Sequence, residues 1–194
     1  MSHHSITLVT SNKNKLMEVT NILTQTLPHI VINSHNIELP ELQGEPQSVC
    51  YSKTKYASQQ LPNTIILVDD TSLCYNSLNG LPGVYIKDFL HKLGHTGLND
   101  IIDKYADKSA VAQCIFGLCK SSSAEPILFT GQCQGTIVQP RGDTTFGWDP
   151  IFQPHGHSQT YAEMNKTIKN QISHRSDALN KLARYLHDHP QFFD

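Results

Sequence analysis

No apolar run in this sequence approaches the roughly 18 residues that a helix needs to cross a bilayer, so a spanning helix is excluded. The opening Met1-Ser2-His3-His4-Ser5 has none of the apolar core of a signal peptide. Five cysteines form no CxxC pair, and the odd count argues against a disulfide framework. Both absences predict a reduced, cytoplasmic protein. Charge is scarce too: Asp, Glu, Lys and Arg make up 16% of the chain, against a usual ~25%. Lys and Arg number 15 and Asp and Glu 17, a net charge of −2, so no global basic field draws the protein to nucleic acid or a membrane surface. There is no Walker A loop, no internal repeat and no low-complexity tract. Ser121-Ser122-Ser123 comes nearest to a linker, but it is too short to separate domains and reads as a hairpin loop. A single domain over residues 1–194 is expected.

Hydrophobic residues make up 38%, enough for a core and too many for a disordered chain. Ile6-Thr7-Leu8-Val9-Thr10 reads as a buried strand. Leu16, Val19, Leu23 and Leu27 then follow at spacings of 3, 4 and 4, one face of a helix that Pro28 stops. Ile30-Val31-Ile32 is a second strand, and Pro40 to Pro46 is irregular. A helix is predicted from Pro46, a good first-turn residue, to about Gln60. Ile65-Ile66-Leu67-Val68 is the most apolar run and is expected to end at Asp69-Asp70-Thr71-Ser72. Helical patterns occupy Ile86 to Leu93 and Leu98 to Tyr105. Ala110 to Val138 reads as β, with breaks at the serines and at Gly131 and Gly135. A last helix carries Ala178, Leu179, Leu182 and Leu186 on one face. Early alternation followed by contiguous strands predicts a mixed α/β chain, with a mixed sheet and helices on its faces.

Chemistry concentrates in a few segments. Thr10-Ser11-Asn12-Lys13-Asn14-Lys15 joins a strand to a helix, where free backbone N–H groups and two lysines favour an anion. The same residues also make an ordinary polar turn. Asp69-Asp70, with Thr71 beside them, sits where ionised carboxylates are costly unless paired or bound to metal. Hard oxygens suit Mg2+, which takes one or two carboxylates together with substrate phosphates. A helix cap is the other reading of the pair. Glu41-Leu42-Gln43-Gly44-Glu45-Pro46 is an acidic loop before the helix that holds Lys53 and Lys55. Glu41 or Glu45 offers a further metal ligand there, and Lys53 a phosphate contact, against the plain alternative of a solvated face. Phe146-Gly147-Trp148-Asp149-Pro150 contains the sole tryptophan and makes either a flat wall for a base or core packing. Ser173-His174-Arg175, behind Lys169, is a dense cluster of donors suited to carbonyl or phosphate oxygens.

Together these segments resemble the inosine triphosphate pyrophosphatase family in its eukaryotic branch. The likeness runs, in order, through TSNKNKL (Thr10 to Leu16), LPELQGEP (Leu39 to Pro46) and VDDTSLCYNSLNGLPGVYIK (Val68 to Lys87). It continues through GTIVQPRG (Gly135 to Gly142), FGWDPIFQP (Phe146 to Pro154), TYAEM (Thr160 to Met164) and KNQISHR (Lys169 to Arg175). The resemblance implies a long, curved mixed sheet flanked by helices, in two lobes with a cleft between them, and a homodimer. It implies hydrolysis of inosine, deoxyinosine and xanthosine triphosphates to the monophosphate and pyrophosphate, which cleanses the nucleotide pool. The implied cofactor is Mg2+, with Mn2+ as a substitute.

Carried onto this chain, Thr10, Ser11, Asn12, Lys13, Asn14 and Lys15 would hold the triphosphate, helped by Lys53, Thr71 and Lys87. Glu41 and Asp70 match metal-binding acids, with Asp69 beside them, and Asp70 also matches the acid that activates water. Phe146, Gly147, Trp148 and Asp149 would line the base and sugar pocket, with Lys169, His174 and Arg175 reaching the base. A 6-oxo purine meets such donors with an acceptor, whereas adenine brings an amino donor and leaves them unpaired. Ser11 stands where glycine is frequent in the family, Lys13-Asn14 changes the spacing of the first lysine, and Asn165 replaces a frequent proline. A nucleotide sensor without turnover is disfavoured by the presence of Asp70, Glu41 and the lysines. A nucleic-acid-binding protein is disfavoured by the near-zero charge.

Overall fold

The computed structural model describes residues 4–193, so Met1, Ser2 and His3 of the opening stretch lie outside it. Its elements run β1 (His4–Val9), α1 (Lys13–Thr26), β2 (Ile30–His35), α2 (Pro46–Gln60), β3 (Ile66–Tyr75) and β4 (Pro82–Gly83). They continue through α3 (Ile86–Asp100), β5 (Ser109–Cys119), β6 (Ile127–Ile137), β7 (Phe152–Pro154), α4 (Lys166–Ile172) and α5 (His174–Asp188). Seven strands form one sheet in the order β2-β1-β3-β5-β6-β7, with β4 pairing β3 off this path. β1 is parallel to β2 and β3, while β4 and β7 are antiparallel to β3 and β6. The sheet is therefore mixed and the chain mixed α/β, as the alternation predicts.

The chain divides into two compact units. The first comprises the described residues up to Asp70, Cys114–Gly131 and those from Arg175 onward. Here Asn12 caps α1: its side chain accepts from the Asn14 and Lys15 amides at 3.0 and 3.2 Å, satisfying donors that the first turn leaves open. Leu16, Val19, Leu23 and Leu27 pack with Leu67 of β3 and Leu179 and Leu182 of α5 in one cluster. A second cluster joins Ala57 of α2 to Ile66 and Val68 of β3. Residues of β3 thus alternate between these clusters with the period of two that a strand requires. α2 opens on Pro46, whose missing N–H costs nothing in a first turn. It lies close on β5 because residue 117 is glycine: a Cβ there would stand 2.0 Å from Thr54 Oγ1.

The second unit comprises Thr71–Gln113 and Gln132–His174. Its core gathers Leu73 and Tyr75 of β3, Ile86 and Leu98 of α3, and Trp148, Phe152 and Tyr161. Among the described residues no helix is long and apolar enough to cross a membrane.

Several local expectations change. β3 does not end at the aspartates; it continues to Tyr75. Both carboxylates have cationic partners, so the strand carries them past the apolar run without the cost of unpaired buried charge. β6 runs unbroken through Gly131 and Gly135. Gly135 is needed under β7, where a Cβ would come within 2.4 Å of the Phe152 ring. The two helical patterns after Ile86 join as α3, bent at Gly94 (φ 66°), and end at Asp100 rather than Tyr105. α4, which carries Lys169, has too short a pattern to be read from the sequence.

Candidate active site

Asp69 and Asp70 are consecutive in β3, so their side chains leave opposite faces of the sheet. Asp69 shares its face with Leu67 and therefore meets α1 and α5. Its carboxylate lies 2.9 Å from Lys15 Nζ and 3.3 Å from Arg175 Nη2, and Arg175 Nη1 reaches Glu18 of α1 at 2.5 Å. The Asp69 side chain is only 2% exposed and that of Arg175 3%. Burial pushes the Asp69 carboxyl up, but Lys15 and Arg175 outweigh it and hold it below the ordinary carboxylate value.

Asp70 shares the other face with Ile66 and Val68 and meets α2. Its carboxylate accepts from Lys53 Nζ at 2.8 Å, and the same ammonium donates to Glu41 at 3.3 Å. Burial pushes the Asp70 carboxyl up. Lys53 and Lys15 pull it down, Asp69 adds to the rise, and the balance leaves it above the ordinary value. For Lys53, burial favours the neutral amine, but Asp70 and Glu41 outweigh it and the proton is held more tightly than usual.

Asp70 and Glu41, gathered on one ammonium, are hard oxygen donors of the kind Mg2+ takes alongside phosphate oxygens. Asp69, grouped with them by sequence, faces Lys15 and Arg175 instead. Among the described residues no three His, Cys, Asp or Glu side chains form a metal-holding group. A fit to Mg2+ therefore rests on the two carboxylates with ligands brought by a substrate. Thr10, Ser11, Asn12, Lys13, Asn14 and Lys15 form the turn into α1. The Thr10 hydroxyl accepts from the Asn12 amide at 3.1 Å. Ser11, Lys13 and Asn14 are exposed, while Lys15 is half-buried beside Asp69.

The second unit brings together another group. Lys169 of α4 is buried and donates to Asp149 at 2.5 Å. Its ammonium lies 4.4 Å from the Phe146 ring centroid and 5.4 Å from that of Tyr161, a cation–π arrangement. Tyr161 stacks with His174 at 5.8 Å, and Trp148 packs at 5.3 Å from the same imidazole. Trp148 is 7% exposed and belongs to the core, whereas Phe146 is half-buried and Gly147 exposed. Thr71 is half-buried in β3, and Lys87 is exposed in the first turn of α3. Of the three residues read as reaching the base, Lys169 and His174 belong to this group. Arg175 belongs to the first unit, between Glu18 and Asp69.

Sequence reading missed Glu18 and Tyr161. Glu18 carries a faint signal, an acid three residues after Lys15 and so on the same helical face. Tyr161 lies inside TYAEM, but nothing in its spacing marks a ring set against a lysine.

A profile of the Ham1 family matches residues 6–185, and the chain belongs to that family. It is 47% identical over 183 residues to an inosine triphosphate pyrophosphatase of Aspergillus fumigatus, covering 94% of this chain and 95% of that one. Over 185 residues it is 48% identical to an inosine triphosphate pyrophosphatase of Fusarium vanettenii, covering 95% and 97%. Its structure resembles that of a HAM1 protein from Coxiella burnetii, with a TM-score of 0.80 and 27% identity over 95% of this chain and 99% of the other.

Proposed function

We propose that this chain is a nucleoside triphosphate pyrophosphatase. It hydrolyses purine nucleoside triphosphates that carry hypoxanthine or xanthine, inosine, deoxyinosine and xanthosine triphosphates among them, to the monophosphate and pyrophosphate. The observation that carries this reading is the pairing of Asp70 and Glu41 on the Lys53 ammonium, in a chain of the Ham1 family.

In this reading the turn from Thr10 to Lys15 binds the triphosphate through helix-terminal N–H groups and lysine charge, with Lys53, Thr71 and Lys87. Glu41 and Asp70 would hold Mg2+, with Mn2+ as a substitute, and the metal when bound would neutralise phosphate oxygens. Asp70 accepts a proton from the attacking water at its carboxylate, and a carboxyl held above its ordinary value is the stronger acceptor. Water attacks the α-phosphate and pyrophosphate departs; attack on the β-phosphate would give the same two products with the water oxygen in pyrophosphate instead. Lys13, Lys15 and Lys53 stabilise the negative charge that gathers on the departing pyrophosphate. Asp69 orients Lys15 and Arg175.

Phe146 offers its face to the base, and Lys169 and His174 offer donors to a 6-oxo group. An adenine amino group would leave those donors unpaired, at about 1–3 kcal/mol for each.

The test is turnover of inosine triphosphate in 18O-labelled water with Mg2+. Pyrophosphate should be released and the label should enter the monophosphate. Label in pyrophosphate, or orthophosphate and a diphosphate as main products, would refute attack at the α-phosphate. Absence of turnover would refute the activity.

A further inference from the structure

The Phe146-Gly147-Trp148 turn carries both the half-buried ring beside Lys169 and the buried indole. Several of its hydrogen bonds are local. The Asp143 carboxylate accepts from the Thr145 amide and hydroxyl at 2.9 and 2.8 Å. The Asp149 amide donates to the Phe146 carbonyl at 3.3 Å. Gly147 adopts φ 56°, with no atom within 4 Å of where a Cβ would stand, so glycine is required there by the backbone and not by lack of space.

A hydrogen bond to the turn's backbone comes from far along the chain. His95 Nε2 of α3 lies 2.8 Å from the Gly147 carbonyl oxygen, across 52 residues. A carbonyl only accepts, so Nε2 must carry a proton whether the ring is neutral or charged. His95 follows directly on the Gly94 bend, where φ of 66° breaks the helical path and redirects the next side chain. The Asn99 side chain donates to the His95 carbonyl at 3.2 Å and holds this second half of α3 in register. His95 lies outside every segment that pointed to chemistry in the sequence.

We infer that His95 is a positioning residue for base recognition. By donating to the Gly147 carbonyl it fixes the turn that sets the Phe146 ring against Lys169. This rests on the reading that Phe146 forms a wall for the base. It predicts an effect on base binding, with little on the phosphate-binding lysines or on the hydrolytic step.

The experiment compares the full chain with His95→Ala and His95→Gln, the glutamine retaining an N–H donor of similar reach. Trp148 is the sole tryptophan and neighbours Gly147, so acrylamide quenching of its fluorescence reports the turn without any turnover. His95→Ala should raise the quenching constant about twofold, as a locally loosened segment would. It should raise KM for inosine triphosphate roughly two- to tenfold, with kcat within about twofold. The inhibition constant of inorganic tripolyphosphate, which has no base, should stay put. His95→Gln should restore both quenching and KM. Unchanged quenching in His95→Ala overturns the inference. So does a glutamine variant no better than alanine, or a rise in KM matched by tripolyphosphate. If the wild type fails to hydrolyse inosine triphosphate while quenching responds as expected, the proposed activity falls and the tie between His95 and the turn stands.

Discussion

Two neighbouring aspartates in one strand do opposite things because a strand alternates its faces. Asp70 is held above its ordinary value and its ionised form is disfavoured by burial. Asp70→Asn keeps the shape and removes the charge, and Lys53 keeps Glu41 as a partner, so the metal-free protein should still fold cooperatively, with a melting temperature no higher than the wild type's. Turnover should fall on the order of 10²-fold or more, the scale of losing one preorganised electrostatic group. Calorimetry beside a pyrophosphate-release assay checks both, and near-wild-type turnover at saturating Mg2+ would sink the role. Asp69 has the reverse sign. Its folded value lies below its unfolded one, so its stabilisation is whole above about pH 4 and drains as pH falls through the folded value. Asp69→Asn, which leaves Arg175 with Glu18 alone, should cost about 3–5 kcal/mol near neutral pH. It should also lose less stability than the wild type between about pH 5 and pH 3. Urea unfolding across that range decides it; parallel pH curves would count against the assignment.

At the scale of elements, Lys53 reaches Asp70 only because α2 lies close on β5. Thr54 is fully buried, next in the chain to Lys53, and packs where residue 117 has no Cβ. Gly117→Ala forces α2 outward and should destabilise by about 1–3 kcal/mol, the usual cost of overpacking. Thr54→Ala on its own opens a small void and frees the Cys50 carbonyl, which now accepts from Thr54 Oγ1 at 2.7 Å. The double variant should be more stable than the sum of the two single losses, since each change relieves the other. Additive losses in a double-mutant cycle would show that the Gly117–Thr54 approach does not set the position of α2. The early elements were legible because each has a period and a boundary of its own: Leu16 to Leu27 against Pro28, and Pro46 at the head of α2. The continuation of β3 through Asp69 was not. Its charges are tolerated only because Lys15, Lys53 and Arg175 arrive from elsewhere in the chain.

For the molecule as a whole, ligand binding must appear as stability. A non-hydrolysable analogue of inosine triphosphate with Mg2+, at a hundredfold excess over its Kd, should stabilise the chain by about 2.7 kcal/mol. A chelator should remove some of that gain in the wild type and none in Asp70→Asn, where the metal's contribution is already lost. Thermal shift with and without chelator reads it directly; equal chelator effects in both proteins would remove Asp70 from the metal.

Sequence alone determined what is local or compositional: the absence of a basic field, the polar strand-to-helix turn from Thr10 to Lys15, the helix from Pro46 and the segments rich in donors and acids. It also carried the likeness to a family, since motifs survive as strings in order. Tertiary structure decided the partners. Asp69 and Asp70 read as one acidic pair and are separated by the sheet. Arg175 reads as a donor toward a base, yet it lies buried between Glu18 and Asp69, 157 and 106 residues away. Lys169 reads as one of a cluster of donors toward a base, and it is buried against two rings and held by Asp149. The physical reason is common to all three. A side chain's charge state and direction are set by what is packed against it, and those neighbours come from strands and helices far apart in the chain.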